Sequence, residues 1–352
     1  MEDKTMPARK NNKGISGLSK LIRASEWWGF KLPPLLSIAY ATTFLSGGRL
    51  YALSPYYLFF LLSLAIGAIY VSIINDLTDI QEDQAVGKRN RVANLSPWSR
   101  TAIVAGCFAA GTAVCYWVWP DRLTVGLYAC AWLAFTLYSV PPFRFKKRGI
   151  LGVICDASGA HFFPSLLMVS GISYAMGVEV DYHWFAWVGV WSMSFGCRGI
   201  LWHQFLDREN DIKTQIKTFA AGIRPEKFKP FAIGLFCVEL VAFTGMLSHL
   251  NLGAAWLSLV LYVVLVIIRY RRYANVPIIV ISPENKHTQV LMIDYYQTFF
   301  PASILISASV DQPLAWVILV VHTILFPRNL IIPLRDYWVA TAALYRRIRY
   351  SL

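Results

Sequence analysis

Ten apolar runs separated by short polar loops constrain the fold of this chain more than any other feature. They cover residues 32–48, 55–75, 101–119, 123–140, 150–171, 184–206, 229–249, 253–270, 289–308 and 313–327. A helix of about 20 apolar residues crosses a bilayer. The last two runs, interrupted by Pro301 and bounded by Pro313 and Pro327, form either two helices or one. The sequence therefore predicts an all-α membrane protein, a bundle of about nine or ten transmembrane helices.

Positive charge is concentrated after every second run, as well as in both tails. The residues that follow runs two, four, six and eight include Lys88, Arg89, Arg91, Arg144, Lys146, Lys213, Arg271 and Arg272. Because cytoplasmic loops carry the excess of Lys and Arg, the tails and these loops are predicted to be cytoplasmic. The net charge of +13 then reflects topology and an anionic partner. Basic residues scattered between apolar runs do not form a nucleic-acid-binding face.

Three regions follow from this division. Residues 1–25 are expected to be a flexible cytosolic tail, because they are polar and basic and contain no apolar core. Residues 26–330 form the predicted transmembrane bundle. Residues 331–352 are predicted to be a basic amphipathic helix that lies on the membrane.

An acidic cluster follows the second apolar run. Asp76, Asp79 and Asp83 have i, i+3, i+7 spacing, which on a single helix stacks their carboxylates on one face. Three like charges beside hydrocarbon are costly unless cations neutralise them. The spacing therefore predicts a divalent-metal site at the membrane surface.

A second cluster at the end of the sixth run repeats that spacing with Gln204, Asp207 and Asp211. Two halves of similar layout would bring both acidic ends to one cytoplasmic mouth. Acidic ends ringed by cations suit a diphosphate bridged to the protein by Mg²⁺, which takes carboxylate and phosphate oxygens as ligands. The candidates for stabilising the departing diphosphate are Lys88, Arg89, Arg91, Arg144, Lys146, Arg198 and Lys213.

The paired motif, together with about nine membrane helices, resembles the UbiA superfamily of intramembrane prenyltransferases over roughly residues 26–310. The resemblance implies a helical bundle around a central cavity and Mg²⁺-dependent ionisation of a polyprenyl diphosphate. It also implies that one Mg²⁺ binds the first motif and another binds the second, with Asp79 and Asp207 essential for catalysis. The implied metal ligands are Asn75, Asp76, Asp79, Asp83, Gln204, Asp207 and Asp211. Gln204 stands where family members often have an aspartate.

Three further residues are candidates for the cavity and for binding an acceptor. Many family members carry a lysine four residues after the tyrosine that corresponds to Tyr138, so Arg144 or Lys146 must substitute for it here. Asp156 lies mid-membrane and either orients an acceptor or bonds a neighbouring helix. His203 is an acceptor base, a ligand, or a buried histidine bonded to another helix.

Two charged residues have alternative interpretations as well. Arg198 either reaches the diphosphate or pairs with an acidic residue. Glu82 and Glu209 point away from the shared acidic faces and are expected to be solvated.

These residues are compatible with three functions. The first is prenyl transfer to an aromatic or lipid acceptor within the lipid bilayer. The second is a terpene cyclase, in which the prenyl chain's own double bonds attack the cation and no acceptor is needed. The third is a cation transporter, although transporter acids usually lie near the midplane rather than beside a basic ring at helix ends.

Overall fold

The computed structural model describes residues 24–85, 87, 90–214 and 216–351, and about 80% of the chain is helical. The predicted cytosolic tail lies almost wholly outside the described residues, and Lys88 and Arg89 lie outside them too. In chain order the helices are α1 (Ala24–Leu45), α2 (Ser54–Thr78), α3 (Ile80–Ala85), α4 (Pro97–Trp117), α5 (Arg122–Ser139), α6 (Ile150–Ala157), α7 (Phe163–Met176), α8 (Tyr182–Leu206), α9 (Arg208–Lys213), α10 (Phe219–Gly222), α11 (Pro225–Leu250), α12 (Gly253–Tyr273), α13 (Phe300–Asp311), α14 (Ala315–Leu325) and α15 (Pro327–Ser351).

Shorter elements complete the fold. A 3₁₀ turn, Phe145–Lys147, follows α5, and π-helical turns at Ser158–Phe162 and Tyr295–Phe299 lead into α7 and α13. Strands β1 (Val276–Ile278) and β2 (Thr288–Val290) pair in parallel in the loop after α12.

Local sequence signals set several helix starts. Asp121 and Asp181 cap α5 and α8 by accepting hydrogen bonds from backbone N–H groups in the first turn. Proline occupies the first turn of α2, α4, α7, α11 and α13, where its missing N–H costs nothing.

Helices lie at all ten apolar runs. Among the described residues, four helical stretches are long and apolar enough to cross a membrane: Ser54–Thr78, Ile150–Met176, Pro225–Leu250 and Gly253–Tyr273. A fifth is counted if α14 and α15, bent by 89° relative to one another, form one span. A mostly helical chain with several apolar helices is thus confirmed, whereas the count of nine or ten spans stays a prediction.

The apolar core lies between helices that come from distant parts of the sequence. α8 packs along α11, and α1 packs against α7 and α13. Gly196 on α8 allows a close approach to α6, since a Cβ there would lie 3.0 Å from the Cα of Ala157. That approach brings the α8 helix, whose end carries the second acidic cluster, next to the segment that carries Asp156.

The first helix is also bonded to the last ones. Gln312 at the end of α13 donates to the carbonyl of Gly48 and accepts from the N–H of Leu50, both at 3.0 Å. At the other end of α1, the indole N–H of Trp28 donates to the carbonyl of Leu325 (2.9 Å). These bonds close the bundle between its first and last helices.

Candidate active site

The first acidic end is a helix break rather than one continuous helix. α2 ends at Thr78, Asp79 adopts φ −106° and ψ 2°, and α3 begins at Ile80. The expectation that one regular helix carries all three carboxylates is therefore wrong, because Asp79 occupies the junction. Helical hydrogen bonds nevertheless continue on both sides, from Asp79 N–H to Asn75 O (3.1 Å) and from Asp83 N–H to Asp79 O (2.8 Å).

Two cations from the loop after α5 lie against Asp79. The guanidinium of Arg144 donates to an Asp79 oxygen (2.9 Å) and to the carbonyl of Thr78 (2.9 Å). Lys146 Nζ pairs with the same Asp79 oxygen. Burial lowers the pKa of Lys146, an effect that the Asp79 carboxylate opposes. Both cations predicted from the sequence thus contact the first motif directly.

Glu82 belongs to this ion-pair network, so the expectation that it is merely solvated is wrong. Its carboxylate pairs with Arg144 at 2.8 Å and also with Lys147. The physical reason is that the basic loop after α5 packs beside α3 and supplies both cations, a tertiary contact that helix periodicity does not predict.

The loop after α3 contributes an asparagine that sequence reasoning missed. The side-chain amide of Asn90 donates to the Asp76 carbonyl (2.7 Å) and to an Asp83 carboxylate oxygen (2.9 Å). Arg91 lies 3.6 Å from the buried Asp76 carboxylate. Asn90 thereby fixes the loop that presents Arg91, and a polar residue inside the basic run was its only sequence signal.

Asn75 is held by a neighbouring helix. Its side-chain oxygen accepts a hydrogen bond from the hydroxyl of Ser139, the last residue of α5. This hydrogen bond joins the end of α5 to the end of α2.

The second acidic end repeats the break of the first. α8 ends at Leu206, Asp207 lies at the junction, and α9 begins at Arg208. Asp207 N–H bonds His203 O (3.0 Å) and Asp211 N–H bonds Asp207 O (2.9 Å). The side chain of Asp207 is exposed.

Neutral donors contact one carboxylate and the amide of this second end. Asp211 accepts from the hydroxyl of Thr218 (2.9 Å), and buried Gln204 accepts from the N–H of Ala220 (3.3 Å). Lys213 ends the short helix α9 and is exposed.

A backbone contact joins the loops of the two ends. The basic turn is defined here as residues 144–148, which include Arg144 and Lys146. Gly149 follows this turn and donates its N–H to the carbonyl of Lys217 (3.3 Å), beside Thr218. Gly149 has φ +56°, a backbone conformation that residues other than glycine rarely adopt. The loop that carries Arg144 and Lys146 is therefore bonded to the loop that holds Asp211.

Tyr138 is within electrostatic range of both acidic ends. The charges of Asp79 in the first motif and Asp211 in the second both act on its hydroxyl. Asp156 is also within electrostatic range of Tyr138, and His203 is within range of Asp156. The three predicted cavity residues thus share one region with both motifs.

Arg198 is a correction to the predicted diphosphate-binding set. Its guanidinium forms a two-pronged ion pair with Glu239 on α11 (2.7 and 2.8 Å) and donates to the carbonyl of Ile279 (3.2 Å). The two side chains are 1% and 0% exposed, and Tyr296 also donates to Glu239 (2.9 Å). The alternative that Arg198 pairs with an acidic residue holds, because every guanidinium nitrogen already has an acceptor in the core.

The donor chemistry of the two ends fits Mg²⁺. In the part of the chain that the structure describes, no group of three or more His, Cys, Asp or Glu side chains lies close enough to hold a metal ion. Mg²⁺ does not require such a cage, since it usually takes one or two carboxylates and fills its other positions with water and phosphate oxygens. Both ends offer only oxygen donors, which this hard cation prefers.

Comparison with known proteins gives the family. A UbiA homolog from Archaeoglobus fulgidus has the same fold, with 17% identity, a TM-score of 0.53, and 83% of this chain and 99% of that chain covered. A structure of a UbiA homolog from the same organism bound to Cd²⁺ matches equally, with 16% identity, a TM-score of 0.53 and the same coverage. A third, bound to GPP and Mg²⁺, reaches a TM-score of 0.48 at 15% identity, covering 91% of this chain and 99% of that chain. No curated protein matches the sequence.

The family model described as the UbiA prenyltransferase family matches residues 35–277. That range includes both acidic ends and the basic turn between them. Because the match spans well over half of the chain, the protein belongs to the UbiA prenyltransferase family.

Proposed function

We propose that this protein is an integral-membrane prenyltransferase that ionises a polyprenyl diphosphate and transfers the prenyl group to a small or lipophilic acceptor. The observation that carries the proposal is the meeting of two acidic helix ends with a basic turn. Arg144 and Lys146 form ion pairs with Asp79, and Gly149 donates a backbone hydrogen bond to the loop whose Thr218 contacts Asp211. An anionic group bridged by divalent cations suits this mixture of carboxylates and cations.

Mg²⁺ is the proposed cofactor. Asn75, Asp76, Asp79 and Asp83 would hold one ion, and Gln204, Asp207 and Asp211 would hold the other. When bound, Mg²⁺ would neutralise the negative charge that grows on the diphosphate as it leaves.

The basic side chains have a complementary task. Arg144, Lys146, Arg91 and Lys213 would bind the diphosphate and stabilise it as it departs, since preorganised cations act most strongly where water is excluded. We keep Lys88 and Arg89 in this set as a sequence prediction. We leave Arg198 out, because its guanidinium is engaged by Glu239.

The cation left behind needs an apolar surrounding and an attacking group. We assign acceptor binding to the region of Tyr138, Asp156 and His203, which adjoins both motifs. Exclusion of water by the bundle would protect the cation from hydrolysis.

We further infer ten passes through the membrane. Gln312 bonds Gly48 and Leu50 just beyond the end of α1, whereas Leu325 bonds Trp28 near its start. The segment from Gln312 to Leu325 thus has one end near each end of α1. Ten passes would leave both termini and the active site on the cytoplasmic side, in agreement with the distribution of positive charge.

Turnover of defined substrates tests the proposal. Purified protein is incubated with Mg²⁺ and geranyl, farnesyl or geranylgeranyl diphosphate, with and without an aromatic acid or a lipid extract. We expect diphosphate release that depends on the acceptor, together with a prenylated product. Lack of diphosphate release under every condition, including all three chain lengths, would refute the proposal.

The same assay addresses the cyclase alternative. Gln204 in place of the usual aspartate, and the absence of a lysine four residues after Tyr138, are the two departures that keep a cyclase open. Cyclised hydrocarbon or alcohol formed without any acceptor would favour that alternative. Lys146 beside Asp79 favours the transferase, because it supplies the missing lysine from a different position.

A further inference from the structure

A groove remote from both acidic ends lies between the end of α12 and helix α15. It has a volume of about 620 Å³, and its lining includes Arg271, Arg272, Tyr273, Ala340 and Ala343. The lining thus combines apolar side chains with two guanidinium groups. This combination suits an amphiphile with an anionic head.

The groove is held open by fixed contacts between its walls. Arg269 on α12 donates to the Asp336 carboxylate of α15 (2.8 Å), and Asp336 is only 3% exposed. The same arginine donates to Asp294 (2.8 Å), and Tyr337 donates to the carbonyl of Leu261. These bonds dock α15 on α12 and leave the space beside them unfilled.

The charge of the groove is positive and uncompensated by neighbouring side chains. Arg271 and Arg272 are exposed and, within the described ranges, have no carboxylate at ion-pair distance. Arg346, on the turn of α15 that follows Leu344 of the groove wall, adds a further exposed cation. An anion would relieve this repulsion.

The end of α12 places the groove near a lipid interface. Gly253–Tyr273 is long and apolar enough to cross a membrane, and Arg271 and Arg272 lie in its last turn, which a spanning helix would place at the level of the headgroups. The face of α15 that is turned away from the groove carries Ile331, Leu334, Trp338 and Tyr345, each more than half exposed. At 100° per residue these four side chains form one stripe opposite to Ala340, Ala343 and Leu344, so the groove lies on the α12 side of α15.

We propose that this groove binds an anionic phospholipid from the adjacent leaflet. The lipid phosphate would pair with Arg271 and Arg272, because guanidinium groups recognise phosphate in a two-pronged geometry. One acyl chain would lie along Ala340, Ala343 and Leu344. This site is separate from the proposed prenyl diphosphate site and does not depend on it.

Native mass spectrometry of the purified full-length protein tests the proposal with phosphatidylglycerol and phosphatidylcholine of matched acyl chains. We expect the wild-type protein to prefer phosphatidylglycerol. The double variant Arg271→Gln/Arg272→Gln should lose about thirtyfold in affinity for it, roughly fivefold for each arginine. Binding of phosphatidylcholine should not change.

Two further variants separate the groove from general surface charge. Lys227→Gln/Lys229→Gln removes the same charge from the exposed start of α11 and should leave phosphatidylglycerol binding intact. Ala343→Trp fills the groove, keeps both arginines, and should weaken binding as strongly as the arginine variant. Thermal unfolding checks that each variant is folded.

Several results would overturn the proposal. Equal loss in the lysine control would assign the effect to bulk charge. Wild-type affinity in a folded Ala343→Trp protein would exclude the groove, as would equal binding of both lipids. Displacement of the lipid by millimolar inorganic phosphate would indicate a site for a free anion instead.

Discussion

The two acidic helix ends have the same spacing and the same break, but their carboxylates are held by different kinds of groups. At the first end Asp79 forms ion pairs with Arg144 and Lys146. At the second end Asp211 accepts a hydrogen bond from the hydroxyl of Thr218. Asp207 has no ion pair with any residue in the described part of the chain. In the described part of the chain, two cations therefore pair with the central carboxylate of the first end, and none pairs with Asp207, the central carboxylate of the second.

The two aspartates that flank α8 have different environments. A carboxylate is unfavourable at a helix C-terminus and favourable at a helix N-terminus, by about 0.3–1 kcal/mol. Asp207 lies both at the end of α8 and at the start of α9, so the two helix dipoles act on it in opposite senses. Asp181 lies at the favourable start of the same helix, where it accepts from the N–H groups of His183 and Trp184 at 3.0 Å. One helix thus carries a structural aspartate at its start and a candidate catalytic one at its end.

The largest expected effect is the loss of turnover when either end loses its central carboxylate. Asp79→Ala and Asp207→Ala should each lower diphosphate release by about three orders of magnitude or more, because each removes a proposed metal ligand. Steady-state assays of both variants measure this. Glu209→Ala, an exposed acid beside Asp207, is the matched control and should retain activity. Activity near wild type in either variant would break the model of two cooperating ends.

A second effect should appear in stability rather than chemistry. Arg198→Gln should lower the free energy of unfolding by roughly 3–5 kcal/mol, because it leaves Glu239 buried without its partner. Thermal unfolding in detergent measures the change. Specific activity of the folded fraction should stay near wild type. A selective rise in KM for the prenyl diphosphate would instead return Arg198 to the substrate site.

Loss of Lys146 should lower catalysis, whereas loss of Arg198 should lower stability. Lys146→Gln should lower kcat/KM about 10- to 100-fold, since it removes a cation that would act on the departing diphosphate. Lys147→Gln is the control, because Lys147 pairs with Glu82 and not with Asp79. Equal losses in both variants would show that the turn acts through its total charge.

The difference in counterions also predicts a difference in stability between the two ends. Asp79→Asn should cost about 1–3 kcal/mol, because Arg144 and Lys146 lose a shared carboxylate. Asp207→Asn should be close to neutral, because Asp207 is exposed and has no ion pair with any residue in the described part of the chain. Unfolding of the two proteins without Mg²⁺ measures this contrast. A loss of stability in Asp207→Asn as large as in Asp79→Asn would contradict it.

The smallest effect concerns Gln204. Gln204→Glu keeps the length of the side chain and its acceptor for the Ala220 N–H while adding a charge. The Mg²⁺ concentration for half-maximal activity should fall several-fold, because one added charge–charge interaction contributes about 1 kcal/mol to Mg²⁺ binding. Asn75→Asp at the first end should give a smaller gain, because cations already surround that end. A higher Mg²⁺ requirement in Gln204→Glu would mean that the neutral amide is needed there.

Much of this arrangement follows from the sequence because it depends on local properties. Runs of apolar residues fix where helices form, and the repeated spacing of acids fixes which helix ends carry the site. The cations near the first end were also predictable, since Arg144 and Lys146 follow a helix end that the distribution of positive charge predicts to be cytoplasmic. Local properties do not determine the backbone break at Asp79 or the pairing of Glu82 with Arg144 and Lys147.

The partnerships formed across the bundle were the part that sequence reasoning could not assign. Arg198 and Glu239 are 41 positions apart, and only tertiary packing makes them neighbours. A signal did exist, because each is a charged residue inside an apolar run, and two such residues tend to pair. Asn90 gave a weaker signal, since its bonds depend on how the loop folds back onto α2.

The bonds between α1 and the end of the chain have a consequence for biogenesis. Gln312, His322 and Leu325 each bond α1 or the turn after it, and all three lie beyond residue 277, where the family match ends. A ribosome has to synthesise nearly the whole protein before the first helix meets these partners. Until then, the lateral face of α1 stays exposed to lipid or to the insertion machinery. Quality control that monitors unassembled membrane helices would therefore detect a truncation after residue 300 through its first helix, far from the lesion.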